Sequence, residues 1–182
     1  MKILLDTNII IEGGKRKEHY KLVDLAKDNN IMFFLSWDII AEQQSKILSF
    51  PPWDFNNLTV KKVDKEWKFW KEINFKNVDD CSFSKLLDYS LNKTEEEILK
   101  FANKNEFQLF NELLNKFKVD EKDAINIMVA HSANMDYFLT WDNDLIKKTK
   151  HVLWLKPKVA TPFDFIQTMS KRLQKNYTPC NL

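Results

Sequence analysis

The sequence predicts an α/β domain built on a mostly parallel sheet, from three observations. Short apolar runs at 2–5 (KILL), 31–35 (IMFFL) and 137–140 (YFLT) alternate with stretches of helical spacing. Those runs are continuously apolar rather than alternating, as strands buried on both faces are. A chain of 182 residues with 44% apolar content makes one domain, 1–182, with a real core.

The elements follow in order. The run 2–5 leads straight into Asp6-Thr7-Asn8, and Ile9 to Ile11 follow before the Gly13-Gly14 break. Residues 16–28 have helical spacing through Tyr20, Val23 and Ala26, and Asn29-Asn30 end that helix. After the strand at 31–35, Ser36 is placed to cap a helix carrying Glu42 as far as Pro51-Pro52. The middle is less regular: a strand is expected at 58–63, a helix at 65–73, and a capping box at Thr94-Glu95-Glu96-Glu97. Residues 106–118 set Phe107, Phe110, Leu113, Leu114 and Phe117 on one side, so 76–118 reads as a mainly helical insertion. The helix 121–134 is apolar around most of its circumference and should be buried. A strand at 137–140 ends at Trp141-Asp142-Asn143-Asp144, and 152–155 (VLWL) reads as another strand. Thr161-Pro162-Phe163-Asp164 opens a final helix, with Pro at its first position and Thr and Asp as a cap pair.

Composition excludes several classes. The only glycines are adjacent, Gly13 and Gly14, which removes P-loop and dinucleotide-binding readings. Two cysteines, Cys81 and Cys180, do not make a disulfide scaffold, and His19, His131 and His151 lack zinc-ligand spacing. One lysine and a short apolar run broken by Asp6 do not make a signal peptide, and no window spans a membrane. A cytoplasmic protein is expected. From Leu145 onward eight Lys and Arg face one acid, Asp164, so that stretch is +7 and the remainder −5 within an overall +2. A basic end beside an acidic remainder suits a polyanionic substrate; a solvated lysine-rich face accounts for the same distribution.

The chemistry lies in the acids. Ligands of open parallel sheets bind beyond the carboxyl ends of the strands. Asp6 directly follows one strand and Asp142 lies just past another, so both should project over one sheet edge. Glu42 falls in the second turn of the helix leaving a third strand. Asp123 falls in the first turn of its helix, where the positive end favours a carboxylate. Singly, each has a structural explanation: Asp123 and Asp120 have capping spacing, Glu42 fits a solvated helix, and Asp142 and Asp144 fit a turn. Together they converge, and crowded carboxylates all ionise only around a cation. Oxygen ligation favours Mg²⁺ or Mn²⁺, one ion or two, and the chemistry that follows is phosphodiester hydrolysis.

Four segments carry a family resemblance: ILLDTNIII at 3–11, FLSWDIIAEQ at 34–43, KDAINIMVAHSANMDYFLTWDNDLIKK at 122–148 and VATPFDFI at 159–166. The chain resembles the PIN-domain nucleases, which include many ribonuclease toxins of toxin–antitoxin pairs. The resemblance places the family's acids on Asp6, Glu42, Asp123 and Asp142, with Asp144 as an auxiliary metal ligand. It implies a Rossmann-like three-layer α/β/α sandwich, Mg²⁺ or Mn²⁺ dependence, an RNA substrate and an antitoxin protein as partner; the hydropathy leads to the expectation of no membrane. Asn8 and Thr140 are expected to orient the acids. Lys15, Arg16 and Lys17 are candidates to hold phosphate, or a solvated charge run. Trp37 and Trp141 are candidates to stack on bases, or core residues. The sequence departs from the family in bulky Trp141, in Leu145 where Phe is frequent, and in a long interval from Glu42 to Asp123. That interval is open to a role in RNA specificity, to one in homodimer formation, or to neither. Two other readings stand beside the nuclease. One is a non-catalytic RNA- or protein-binding domain. The other is a haloacid-dehalogenase-like phosphatase, which wants a second Asp where this chain has Asn8.

Overall fold

The structure, a computed structural model, describes residues 1–27, 30–35, 76–77 and 104–176. The expected helix at 36–51 with Glu42 and Trp37, the strand at 58–63, the helix at 65–73 and the capping box at 94–97 lie outside the described residues.

Five parallel strands form one sheet: β1 (Lys2–Leu5), β2 (Met32–Leu35), β3 (Lys76–Asn77), β4 (Tyr137–Leu139) and β5 (Lys158–Ala160), in the spatial order β3-β2-β1-β4-β5. Side chains alternate across a strand, and β1 shows both destinations. Ile3 and Leu5 join one core with Phe33, Leu35, Tyr137 and Leu139, while Leu4 joins a second core with Phe138. This is why the strand sequences are apolar without alternation.

The first core is covered by α1 (Thr7–Glu12), α2 (Lys17–Ala26) and α6 (Pro162–Asn176), through Ile9, Leu22 and Phe165. The second is covered by α3 (Lys104–Asn115), α4 (Glu121–Ser132) and α5 (Asn143–Thr149), through Leu113, Ile127 and Leu145. The result is the expected three-layer α/β/α sandwich. Helix α4 buries every residue from Ala124 to His131, in keeping with its apolar circumference. Its end uses Asn134, at φ 52°, where glycine is common: Met135 N–H donates to Ala130 O at 2.9 Å and Asn134 N–H to His131 O at 3.1 Å.

Two expectations are corrected. The run 152–155 is not a strand: Val152 N–H donates to Thr149 O and Leu155 N–H to Val152 O, forming turns, and Leu153 is 97% exposed. Val152, Trp154 and Leu155 serve the second core instead, with Trp154 Nε1 donating to Glu112 Oε2 at 3.0 Å. The strand is the less apolar KVA that follows Pro157. Within 76–118, residues 76–77 are the edge strand β3 rather than helix, and the helical portion among the described residues is α3.

Candidate active site

The site begins where β1 ends. Asp6 N–H donates to Leu139 O at 2.9 Å, one bond beyond the β1–β4 ladder, and Thr140 N–H donates to Ala160 O at 3.1 Å. These bonds fix the two strand ends side by side. Thr140 Oγ1 then donates to Asp6 Oδ2 at 2.6 Å. Asn8, two residues into α1, donates through Nδ2 to Asp6 Oδ2 at 2.7 Å and to Thr140 Oγ1 at 2.9 Å. Its Oδ1 accepts from Trp141 N–H at 3.1 Å, which fixes the amide the right way round. Asp6 Oδ1 accepts from Thr7 N–H at 2.7 Å. With Asp6 only 8% exposed, the carboxylate is held by groups that cannot easily move.

Asp142 is tied to the same network, since its N–H donates to Thr140 Oγ1 at 3.0 Å. Its side chain caps α5: Oδ1 accepts from Asp144 N–H at 2.8 Å and Leu145 N–H at 2.9 Å. Oδ2 makes no hydrogen bond among the described residues, so the cap occupies only half of this carboxylate.

Asp123 comes from the first turn of α4. The cap there is Asp120, whose side chain accepts from Lys122 N–H at 3.1 Å, and Asp123 makes no capping bond among the described residues. Burial, followed by the negative charges of Asp6, Asp142 and Asp120, pushes Asp123 up to about 7. Lys148 acts the other way. Three segments thus bring negative charge to one place, where full ionisation of the set is disfavoured and Lys148 offsets only part of the repulsion. The donors are all oxygen, which fits Mg²⁺ or Mn²⁺. Among the described residues no three acidic, His or Cys side chains are grouped so as to hold a metal ion, and Glu42 lies outside those residues.

The other candidates are less central. The Asp144 carboxylate is mostly exposed and pairs with Lys148 Nζ at 2.7 Å. That hydrogen bond, with the charges of Asp144, Asp142 and Asp123, raises Lys148 above the usual lysine range. Lys148 was not singled out from the sequence, although its spacing from Asp144 is that of a helical ion pair. Lys15, Arg16 and Lys17 are exposed at the turn into α2. Arg16 pairs with Glu12 and lies 4.2 Å over the Trp141 ring. Trp141 is partly buried against the first core, and its Nε1 donates to His19 Nε2 at 3.0 Å. His19 is the second residue missed: it is wholly buried, and nothing in its spacing marks it.

No curated protein matches the chain. Among solved structures the chain is similar to the crystal structure of VapBC2 from Rickettsia felis bound to a DNA fragment from their promoter, with 13% identity and a TM-score of 0.49 over 87% of this chain and 98% of that one. The model of the PIN domain matches residues 2–144, a span that includes Asp6, Asn8, Asp123, Thr140, Asp142 and Asp144. Members of that family are generally nucleases that use divalent metal ions. With most of its length matched, the chain belongs to the PIN-domain family.

Proposed function

We propose that this protein is a Mg²⁺- or Mn²⁺-dependent endoribonuclease, acting as the toxin of a toxin–antitoxin pair. The observation that carries the metal-dependent hydrolysis is the convergence of Asp6, Asp123 and Asp142, where burial, followed by the charges of Asp6, Asp142 and Asp120, pushes Asp123 up to about 7. Family membership supports the nuclease class. RNA as the substrate and an antitoxin as the partner rest on the sequence resemblance.

In this reading Asp6, Glu42, Asp123 and Asp142 hold the cation, with Asp144 as an auxiliary. When bound, the ion supplies Lewis acidity and activates water for in-line attack on phosphorus. The remaining work belongs to the chain. Thr140 and Asn8 fix the rotamer of Asp6, so that its carboxylate meets the ion without reorganising. The α5 amides orient Asp142 in the same way. Arg16 and Trp141 form a stacked pair beside the site, fit to receive a base and its phosphate, with Lys15 and Lys17 adding positive charge.

The test offers single-stranded RNA, single-stranded DNA and a small phosphomonoester to purified protein with Mn²⁺, with EDTA, and in the Asp6→Asn variant. RNA cleavage that needs Mn²⁺ and disappears in the folded variant supports the reading. Intact RNA under all conditions overturns it, and turnover of the phosphomonoester alone points to a phosphatase. Co-purification with the product of an adjacent small reading frame tests the toxin role, and the absence of any such frame counts against it.

A further inference from the structure

A cleft of about 670 Å³ lies along the outer flank of β5, and none of the candidate site residues lines it. Its lining mixes apolar and polar groups, and Lys150, Lys156, Lys158 and Lys171 contribute to it beside a single acid, Asp164. That acid also caps its helix and leaves the lysines in excess by three. Asp164 Oδ2 accepts from Thr161 Oγ1 at 2.7 Å, and Asp164 N–H donates back to Thr161 Oγ1 at 3.0 Å, closing the cap of α6. The nearby His131 adds no charge: burial and the Lys156 charge hold it below the usual histidine range, and its Nδ1 accepts from Lys156 N–H at 3.2 Å.

Lysine on an edge strand deters pairing with another chain. That accounts for Lys158 alone. The other three come from the end of α5, the turn before β5 and helix α6, so four segments converge with one sign of charge. Concave surfaces lined by one sign concentrate counter-charge. No aromatic side chain lines the cleft among the described residues, so it lacks a platform for bases. Its chemistry is that of a backbone contact, indifferent to sequence.

Its position links it to the acids. Helix α5 starts at the Asp142 cap and ends beside Lys150, a rise of about 10 Å for its length. Ala160, which lines the cleft, accepts the Thr140 amide. We propose that the cleft is a second binding site for the phosphate backbone of a single-stranded nucleic acid, engaging the strand about one α5 length from the carboxylates. The proposal rests on the nuclease reading for its substrate, but its binding is measured separately.

The experiment uses the full chain carrying Asp6→Asn and a fluorescent single-stranded RNA of about 20 nucleotides. Lys150→Gln, Lys158→Gln and Lys171→Gln together are expected to weaken binding on the order of 10-fold or more and to make the slope of log affinity against log salt shallower by about 2. With an active chain, the same triple raises KM for the long RNA, leaves kcat in place, and leaves cleavage of an RNA of about four nucleotides unchanged. Should the triple fold poorly, Lys171→Glu at an exposed helical position must reproduce the loss of affinity. An unchanged slope and affinity overturn the proposal. Competition by polyglutamate but not by unlabelled RNA also overturns it, in favour of an acidic protein. If the active chain cleaves no RNA yet the lysine variants still lose RNA binding, the nuclease reading fails and the cleft assignment stands.

Discussion

Thr140 Oγ1 and Asp6 Oδ2 are 2.6 Å apart, although 134 residues separate them in the chain. The hydroxyl uses its full capacity: it donates to Asp6 and accepts from Asn8 Nδ2 and from Asp142 N–H. Thr140→Val keeps the shape but removes all three bonds. It should cost about 1.5–3 kcal/mol, as bonds to charged groups do, and lower Mn²⁺ affinity or activity on the order of 10- to 100-fold. Thr140→Ser should restore both. Calorimetry of Mn²⁺ binding checks this, and an unaffected Thr140→Val would remove the hydroxyl from the site's design.

The elevated Asp123 has a consequence for stability with a defined sign. A carboxyl whose folded-state value lies above its ordinary 3.8, here near 7, binds more protons in the folded than in the unfolded chain between those values. Its contribution therefore falls as pH rises through that window. In EDTA, Asp123→Asn should melt higher than the wild type at about pH 8, and the two should converge near pH 4. Thermal melts across pH measure it, and equal melting at every pH would mean that neither burial nor the neighbouring acids raise Asp123.

Trp141 carries two separable roles. Trp141→Phe drops the bond to His19 Nε2 but keeps a ring beneath Arg16, so stability should fall by about 1 kcal/mol while RNA affinity is retained. Trp141→Ala should lose a further 5- to 100-fold in RNA affinity, roughly the value of one stacked base. Binding to the Asp6→Asn chain separates the two, and retained affinity in Trp141→Ala would make the ring purely structural.

His131 predicts acid sensitivity of the folded chain. Burial, then the Lys156 charge, lowers its folded-state value below 6.5. The folded chain therefore binds fewer protons there than the unfolded one, and stability is lost as pH falls through that window. His131→Gln should reduce the loss seen between about pH 6.5 and 5. Chemical denaturation at those pH values checks it, and an unchanged pH slope would contradict the assignment.

Legibility followed what each residue depends on. β1, β2 and β4 were readable because burial on both faces leaves continuous apolar runs, and the cap of α6 was readable because its determinants lie within four residues. Asp6 and Asp142 were readable from the geometry of strand ends. β5 was missed because the more apolar VLWL feeds a core from a turn, whereas KVA gains its place from pairing with β4. His19 takes its role from a distant partner, Trp141, which local spacing does not encode; Lys148 has a local partner in Asp144, but its nearness to Asp142 and Asp123 comes from the fold.

The central claim is that the strand-end carboxylates form one cation site. Calorimetric titration of Mn²⁺ into the metal-free chain near pH 7 tests it most directly, comparing wild type with Asp6→Asn and Asp123→Asn. The account predicts binding to the wild type with release of protons as Asp123 ionises, weakened in each variant while the fold persists. Mn²⁺ binding of equal affinity and proton release in all three proteins would contradict it.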